Sequence, residues 1–315
     1  MKKIPVLLDG DPGHDDAIAW VLARSNPNFE IKGITTVPGN QTSEKVTYNA
    51  RRIATLLGLD VPVAKGRNIP IIQELRVTPE VHGETGLDGP AMPEPAHELS
   101  PLSAVDLMAK VVRESDEKVV IIATGPQTNV GSFLVAHPEL HEKIECISIM
   151  GGGIRNGNWV PGAEFNILTD PEAMQIELQS GIPMYMAGLD VTERALVYPE
   201  DRERIRAVDN QVAHIVADWL HFFFQYHSEI GWEGAPLHDP CAVAVLMHPE
   251  IFTIKHMHVD VETEGYYTRG CTVGDLRIES KQEPNINVLL DVDREKFVDL
   301  LVEAVKSYDG WEVEI

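Results

Sequence analysis

The sequence predicts an α/β fold, an open and mostly parallel sheet flanked by helices on both faces. Three observations predict it. Apolar runs of strand length alternate with segments whose apolar residues recur at helical spacing. Neither an internal repeat nor a Pro- or Gly/Ser-rich linker divides the 315 residues, so a single domain over 1–315 is expected. The polar residues with chemical potential fall after the expected strands, where open α/β sheets bind their ligands.

The elements follow in order. Residues 4–9 read as the first strand and 15–24 as the first helix. A second strand covers 29–37, and Val46, Ala50, Ile53 and Leu57 mark a helical stripe over 42–57. A short strand at 61–64 precedes a Pro/Gly/Glu-rich stretch, 66–100, with no periodicity; so long an insert in a compact domain is functional or partly mobile, and 66–100 and 222–236 are the candidate lid segments. Helices at 102–113, 128–135 and 170–178 alternate with strands at 118–123, 144–150 and 183–187, and 151–162 is a Gly/Asn-rich loop. Residues 209–228 form a long helix, with Val212, Ile215, Val216, Trp219, Leu220 and Phe223 on one stripe, and another helix starts near His238. Segments at 256–261, 268–273 and 285–291 read as late strands of antiparallel character, and 294–307 as the last helix.

Hydrophobic residues at 43% and charged residues at 24% describe an ordinary globular chain. Its 26 basic and 49 acidic residues leave a net charge of −23, which argues against nucleic acid or an anionic membrane as partner. No apolar run is long enough to span a bilayer, and Met1-Lys2-Lys3 leads directly into a strand rather than a secretory leader. Three widely spaced cysteines (Cys146, Cys241, Cys271) fit neither a disulfide framework nor a zinc site; a cytoplasmic location is expected.

The chemistry concentrates at Asp9-Gly10-Asp11-Pro12-Gly13-His14-Asp15-Asp16, four carboxylates at one strand-to-helix junction. Asp9 and Asp11, two apart, would share a face of an extended strand end. Asp15 could be a helix N-cap and Pro12-Gly13 an ordinary turn, but a cap accounts for one or two of the acids, not four. A hard cation such as Ca²⁺ or Mg²⁺, which takes several oxygen ligands, accounts for all of them. His238-Asp239-Pro240 could supply a further carboxylate and a proton donor, or simply a capped helix start with Pro at its first position. Asn156 to Asn166, with Asn158, Trp159 and Glu164, could hold sugar hydroxyls or be a loop of turn formers. His82 could be a solvated loop histidine or part of an active-site lid. Tyr226, His227 and Trp232 are placed to face a flat base, whereas Phe223 reads as core.

The N-terminal octapeptide with Ala17 resembles the signature of the inosine–uridine-type nucleoside hydrolases. Thr36-Val37-Pro38-Gly39-Asn40, Ala123-Thr124-Gly125-Pro126-Gln127-Thr128-Asn129, Met150 through Asn158 with Glu164-Phe165-Asn166, and His238-Asp239-Pro240 resemble that family's later motifs, in family order. The resemblance implies a Rossmann-like nucleoside hydrolase fold. It implies Ca²⁺-dependent hydrolysis of a ribonucleoside to free base and ribose, in nucleoside salvage, by a homodimer or homotetramer. Asp11, Asp16 and Asp239 would ligate Ca²⁺ by carboxylate and Thr124 by its main-chain carbonyl. Asp15 and Asn166 would hold the ribose 2′- and 3′-hydroxyls with Asn40 close by, and Asn158 and Glu164 the 5′-hydroxyl. Asp11 would also be the general base, with Asp9 supporting the site from behind. His238, or else His82, would protonate the leaving base, a role suited to histidine's near-neutral pKa. Having both histidines resembles members that accept pyrimidine ribonucleosides, so uridine or cytidine is the expected substrate. Trp159, Tyr226 and Trp232 leave inosine open. Two rivals stand beside this: a haloacid-dehalogenase-like phosphatase, which also carries Asp-x-Asp after its first strand, and a nucleoside-binding protein without catalysis.

Overall fold

The computed structural model describes residues 3–277, 279 and 281–315. Twelve strands are present among them: β1 (Ile4–Gly10), β2 (Phe29–Thr36), β3 (Val63–Lys65), β4 (Val119–Ala123), β5 (Ile144–Met150), β6 (Met184–Ala187), β7 (Leu196–Val197), β8 (Ala235–Pro236), β9 (Phe252–Met257), β10 (Val259–Val261), β11 (Thr272–Gly274) and β12 (Ile286–Val292). The α-helices are α1 (His14–Ser25), α2 (Ser43–Leu56), α3 (Pro79–His82), α4 (Ala104–Glu114), α5 (Thr128–Ala136), α6 (Phe165–Thr169), α7 (Pro171–Gln179), α8 (Leu189–Thr192), α9 (Pro199–Arg206), α10 (Gln211–Glu229), α11 (Pro240–Met247) and α12 (Arg294–Lys306).

Eight strands form the central sheet in the order β3-β2-β1-β4-β5-β6-β12-β9. All neighbours pair in parallel except β12 with β9, so the antiparallel member sits at the edge. Alternation along β1 shows how the core divides. Val6 and Leu8 join the layer holding Trp20, Trp219 and Phe297, while Leu7 joins the layer of Met108, Phe133 and Met174 on the other face. A sheet covered on both faces reads as continuous apolar runs, and β4 (Val-Val-Ile-Ile-Ala) is buried throughout.

The chain builds outward from β1 through β2 to β3, then returns to lay β4 on the opposite side of β1. The strand order reverses between β1 and β4, and a crevice opens there beyond their carboxyl ends. Asp11 and Thr124 follow those two strands, and Thr124 N–H donates to the Asp9 carbonyl at 2.9 Å, continuing the ladder by one bond.

The expected late strands differ in three ways. Residues 256–261 divide at His258 into β9 of the central sheet and β10 of a separate two-stranded sheet. Residues 268–271 are turn and irregular backbone, leaving only β11 extended. β12 lies inside the central sheet, parallel to β6 and antiparallel to the edge strand β9, so the antiparallel character holds although the strand itself is interior. Short helices at α3, α6, α8 and α9 were not apparent, because four to eight residues show too little periodicity. Among the described residues, no helix is long and apolar enough to cross a membrane.

Phe297 of α12 is fully buried in the layer with Trp20 and Trp219. Phe297→Ala is expected to lower unfolding free energy by about 3–5 kcal/mol, read as a shifted urea midpoint at unchanged slope.

Candidate active site

The floor of the crevice is carboxylate. β1 ends at Gly10, so Asp11 lies past the ladder and its Oδ2 accepts from Asn40 N–H at 2.7 Å. Gly39 and Gly125 pack against it so closely that a Cβ on either would stand 2.2 or 2.5 Å from a carboxylate oxygen, which only glycine permits. Asp16, in the first turn of α1, accepts from Gly13 N–H (3.0 Å) and Asn40 Nδ2 (3.2 Å) through Oδ2, and from Thr124 Oγ1 (2.6 Å) through Oδ1. One carboxylate oxygen from each of Asp15, Asp16 and Asp239 lies within 4.8 Å of the others, all buried. Asp15 Oδ1 has no hydrogen-bond partner among the described residues.

Neither bland alternative describes these acids. The N-cap of α1 is Gly13, not Asp15. Asp239 occupies the N-cap position of α11, but its side chain makes no capping bond. Asp9 does not share the face of Asp11: its Oδ1 is held from behind by Thr35 Oγ1 (2.5 Å) and Asn129 Nδ2 (2.8 Å), because the chain turns after Gly10. The tightest trio contains Asp15 where Asp11 was expected, since Asp11 turns an oxygen to the Asn40 amide.

Burial of so many like charges drives protons onto them. Desolvation, with Asp16 beside it, pushes Asp15 up to about 8, and Asp11 and Asp239 are raised well above the ordinary carboxylate range for the same reasons. An oxygen-rich, buried set with one unpartnered oxygen suits a hard divalent cation, which would replace the protons.

The β5 end supplies a second wall. Glu164 caps α6, accepting from Asn166 N–H (2.9 Å) and Ile167 N–H (3.1 Å), and also from Gly152 N–H (2.9 Å). Burial nonetheless raises it to about 7. Asn166 Nδ2 donates to the Thr124 carbonyl at 2.9 Å, so that carbonyl has one lone pair left for another ligand. Asn158 Oδ1 accepts from Phe165 N–H at 3.0 Å, and Trp159, packed edge-on against Phe165, stays 37% exposed at the mouth.

Histidines and aromatics form the roof. α3 brings His82 over the floor, where it stacks on Phe223 of α10. His227 Nδ1–H donates to the Phe223 carbonyl (2.9 Å), and His238 Nδ1 meets Thr192 Oγ1 (2.8 Å). His82, Phe223, Tyr226, His227, Trp232 and His238 all line the same cavity as Asp11, Asp15, Asn40, Thr124, Asn158, Glu164, Asn166 and Asp239. Asp16 lies beneath them. The near-neutral pKa expected of the histidines does not hold: desolvation pushes His238 down to about 3 and His82 well below its ordinary value. Burial favours the neutral form of both rings. Glu193 in the wall and Thr192 behind His238 were not foreseen; α8 is too short to leave a sequence signal. His14 was quoted in the motif without a role, because its contact, His82, is 68 residues away.

The description "Inosine-uridine preferring nucleoside hydrolase" matches residues 6–299. The chain belongs to this family. It is 54% identical over 308 residues to the pyrimidine-specific ribonucleoside hydrolase RihA of Escherichia coli O9:H4 (strain HS), covering 97% of this chain and 99% of that one. Among solved structures, the purine-preferring ribonucleoside hydrolase from Gardnerella vaginalis superposes with a TM-score of 0.89 at 31% identity (96% of this chain, 98% of the other). The plant nucleoside hydrolase PpNRh1 gives 0.88 at 29% (96% and 99%). The nucleoside hydrolase is thus an N-glycosidase. The phosphatase rival falls with this membership, and the site agrees: among the described residues, no Lys or Arg lines the cavity to meet a phosphate.

Carboxyls whose folded pKa is raised hold more protons folded than unfolded and destabilise the metal-free nucleoside hydrolase as pH rises; the buried histidines, with folded values pushed below 6.5, act in the opposite sense up to that pH, so the net loss is expected between 6.5 and about 8. A bound divalent cation should offset that loss, with affinity falling as pH is lowered. Thermal melts across this range with chelator or with added cation check both slopes.

Proposed function

We propose that this nucleoside hydrolase cleaves pyrimidine ribonucleosides, uridine and cytidine, with inosine a secondary substrate, and that its cation is Ca²⁺. The observation that carries the base preference is the 54% identity, over nearly the whole of both chains, to a pyrimidine-specific hydrolase. The presence of both His82 and His238 in the cavity supports it. Ca²⁺ is supported by the buried trio of Asp15, Asp16 and Asp239, made of carboxylates without a thiol or imidazole, beside the Thr124 carbonyl.

The chain's own groups divide the work. Asp15 and Asn166 hold the ribose diol, with Asn40 beside them, while Asn158 and Glu164 fix the 5′-hydroxyl. Asp11, Asp16, Asp239 and the Thr124 carbonyl would hold the cation. Bound there, Ca²⁺ would supply Lewis-acid chemistry. Asp11 accepts the proton of the water that attacks the anomeric carbon. The buried carboxylates stabilise the positive charge that develops on the ribosyl ring as the N-glycosidic bond breaks. Negative charge moves onto the departing base. In the tautomer whose Nδ1 accepts from the Thr192 hydroxyl, neutral His238 presents Nε2–H to that charge, and His82 meets the base from the roof. Trp159 and Tyr226 border the base. Acidic walls without a Lys or Arg among the described lining residues favour a nucleoside over a nucleotide.

Residues 1–315 act as one domain in this reading, supported by β12, which ties the C-terminal region into the sheet beside β6. A homodimer or homotetramer in the cytoplasm is the expected setting.

Protein supplied with Ca²⁺ is expected to release reducing sugar from uridine and cytidine faster than from inosine. Uridine binding without ribose release would instead mark a silent binding protein. Asp11→Asn should reduce kcat by about 10²–10⁴-fold with the fold intact. His238→Ala should slow uridine far more than p-nitrophenyl riboside, whose leaving group needs no proton; equal losses on both count against its role at the base.

A further inference from the structure

His14 opens α1 and is wholly buried, yet it does not line the cavity. Its contacts run to the roof. Nε2 lies 2.7 Å from the Asp88 carbonyl oxygen, and a carbonyl only accepts, so Nε2 carries a hydrogen and donates. His82 Nδ1 accepts from the His14 backbone N–H at 3.3 Å, so neutral His82 carries its hydrogen on Nε2, and His14 Nδ1 lies against the same atom at 3.1 Å. The two rings stack at 5.4 Å, with Phe222 against His14 (4.8 Å) and Phe223 against His82 (5.5 Å).

This arrangement occupies one edge of the His82 ring. Gly13 allows it: a Cβ there would stand 2.5 and 2.6 Å from His82 Nδ1 and Cε1. With Nδ1 held against the start of α1, Nε2 is the nitrogen left for the cavity that His82 lines. His14 also grips the turn after His82. Asp88 N–H donates to the His82 carbonyl (3.3 Å), and the Asp88 carboxylate accepts from the Glu84 and Thr85 amides (3.0 and 3.1 Å). One side chain therefore ties α1, which carries Asp15 and Asp16, to the loop that carries His82.

We infer that His14 is a positioning residue that fixes the His82 ring with Nε2 toward the nucleobase and acts on the reaction only through His82. This rests on the reading that His82 engages the departing base. An ordinary core histidine would support the fold without distinguishing leaving groups, and the two cases separate kinetically.

Turnover of uridine and of p-nitrophenyl riboside is measured for wild type, His14→Leu, His82→Asn and the double variant, all with Ca²⁺. His14→Leu is expected to lower kcat on uridine by about 10–100-fold, with KM and p-nitrophenyl riboside turnover held within about 3-fold. Added to His82→Asn, it should cost nothing further on uridine, because the two residues act as one unit. Equal losses on both substrates, or losses that multiply in the double variant, overturn the positioning role. A His82→Asn protein that turns over uridine normally removes the reading of His82 itself, and the proposal with it. Wild-type protein labelled with ¹⁵N-histidine provides a measurement independent of variant folding. A scalar coupling between the His14 backbone nitrogen and His82 Nδ1 across their hydrogen bond is expected, and its absence overturns the contact.

Discussion

Mutual repulsion among Asp11, Asp15, Asp16 and Asp239 is the constraint around which the rest of the molecule is arranged. None of the four is more than 6% exposed. Unpaired charges so placed cost several kcal/mol each by desolvation alone, and among the described residues no arginine or lysine lines the cavity to neutralise them. The fold answers with oriented dipoles: the Asn40 and Gly13 amides, the Thr124 hydroxyl, and the N-terminal end of α1. The remaining charge is left for a cation and for the positive ring of the transition state. What is costly in the free protein is thus the source of catalysis, an arrangement of strain at a functional site that a packed scaffold can sustain.

Much of this was legible from the amino-acid order, for a physical reason. The first five expected strands and the helices between them carried strong periodicity, because a two-sided sheet demands apolar runs and helices demand stripes. The site's floor was legible too, since Asp11, Asp15 and Asp16 crowd within six residues and no ordinary turn needs so many acids. The late strands were less so: β9, β10 and β11 are short and partly exposed, and which strand each pairs with depends on distant partners. Asp239 and His238 gained meaning only through resemblance, since two residues before a helix carry little signal of their own.

The roof was the least legible region. Its histidines are gathered from α3, α10 and the segment before α11, and their chemistry depends on burial that no local pattern encodes. A free histidine titrates near neutrality; His238 is pushed to about 3 because water is excluded. The partnership of His14 with His82 is likewise a tertiary fact, joining a helix start to a loop across a glycine.

The place of β12 has a consequence for the making of the protein. Residues 286–292 form an interior strand, with β6 on one side and β9 on the other. As synthesis proceeds from the N-terminus, six parallel strands can assemble while the free edge of β6 stays open and β9 has nothing to pair with. An open, apolar strand edge invites pairing with another chain. The nascent protein therefore passes through a long vulnerable interval that ends only when its last strand is released and slots into place. Truncation just short of β12 would leave a molecule with most of its nucleoside-binding residues but an exposed template for aggregation.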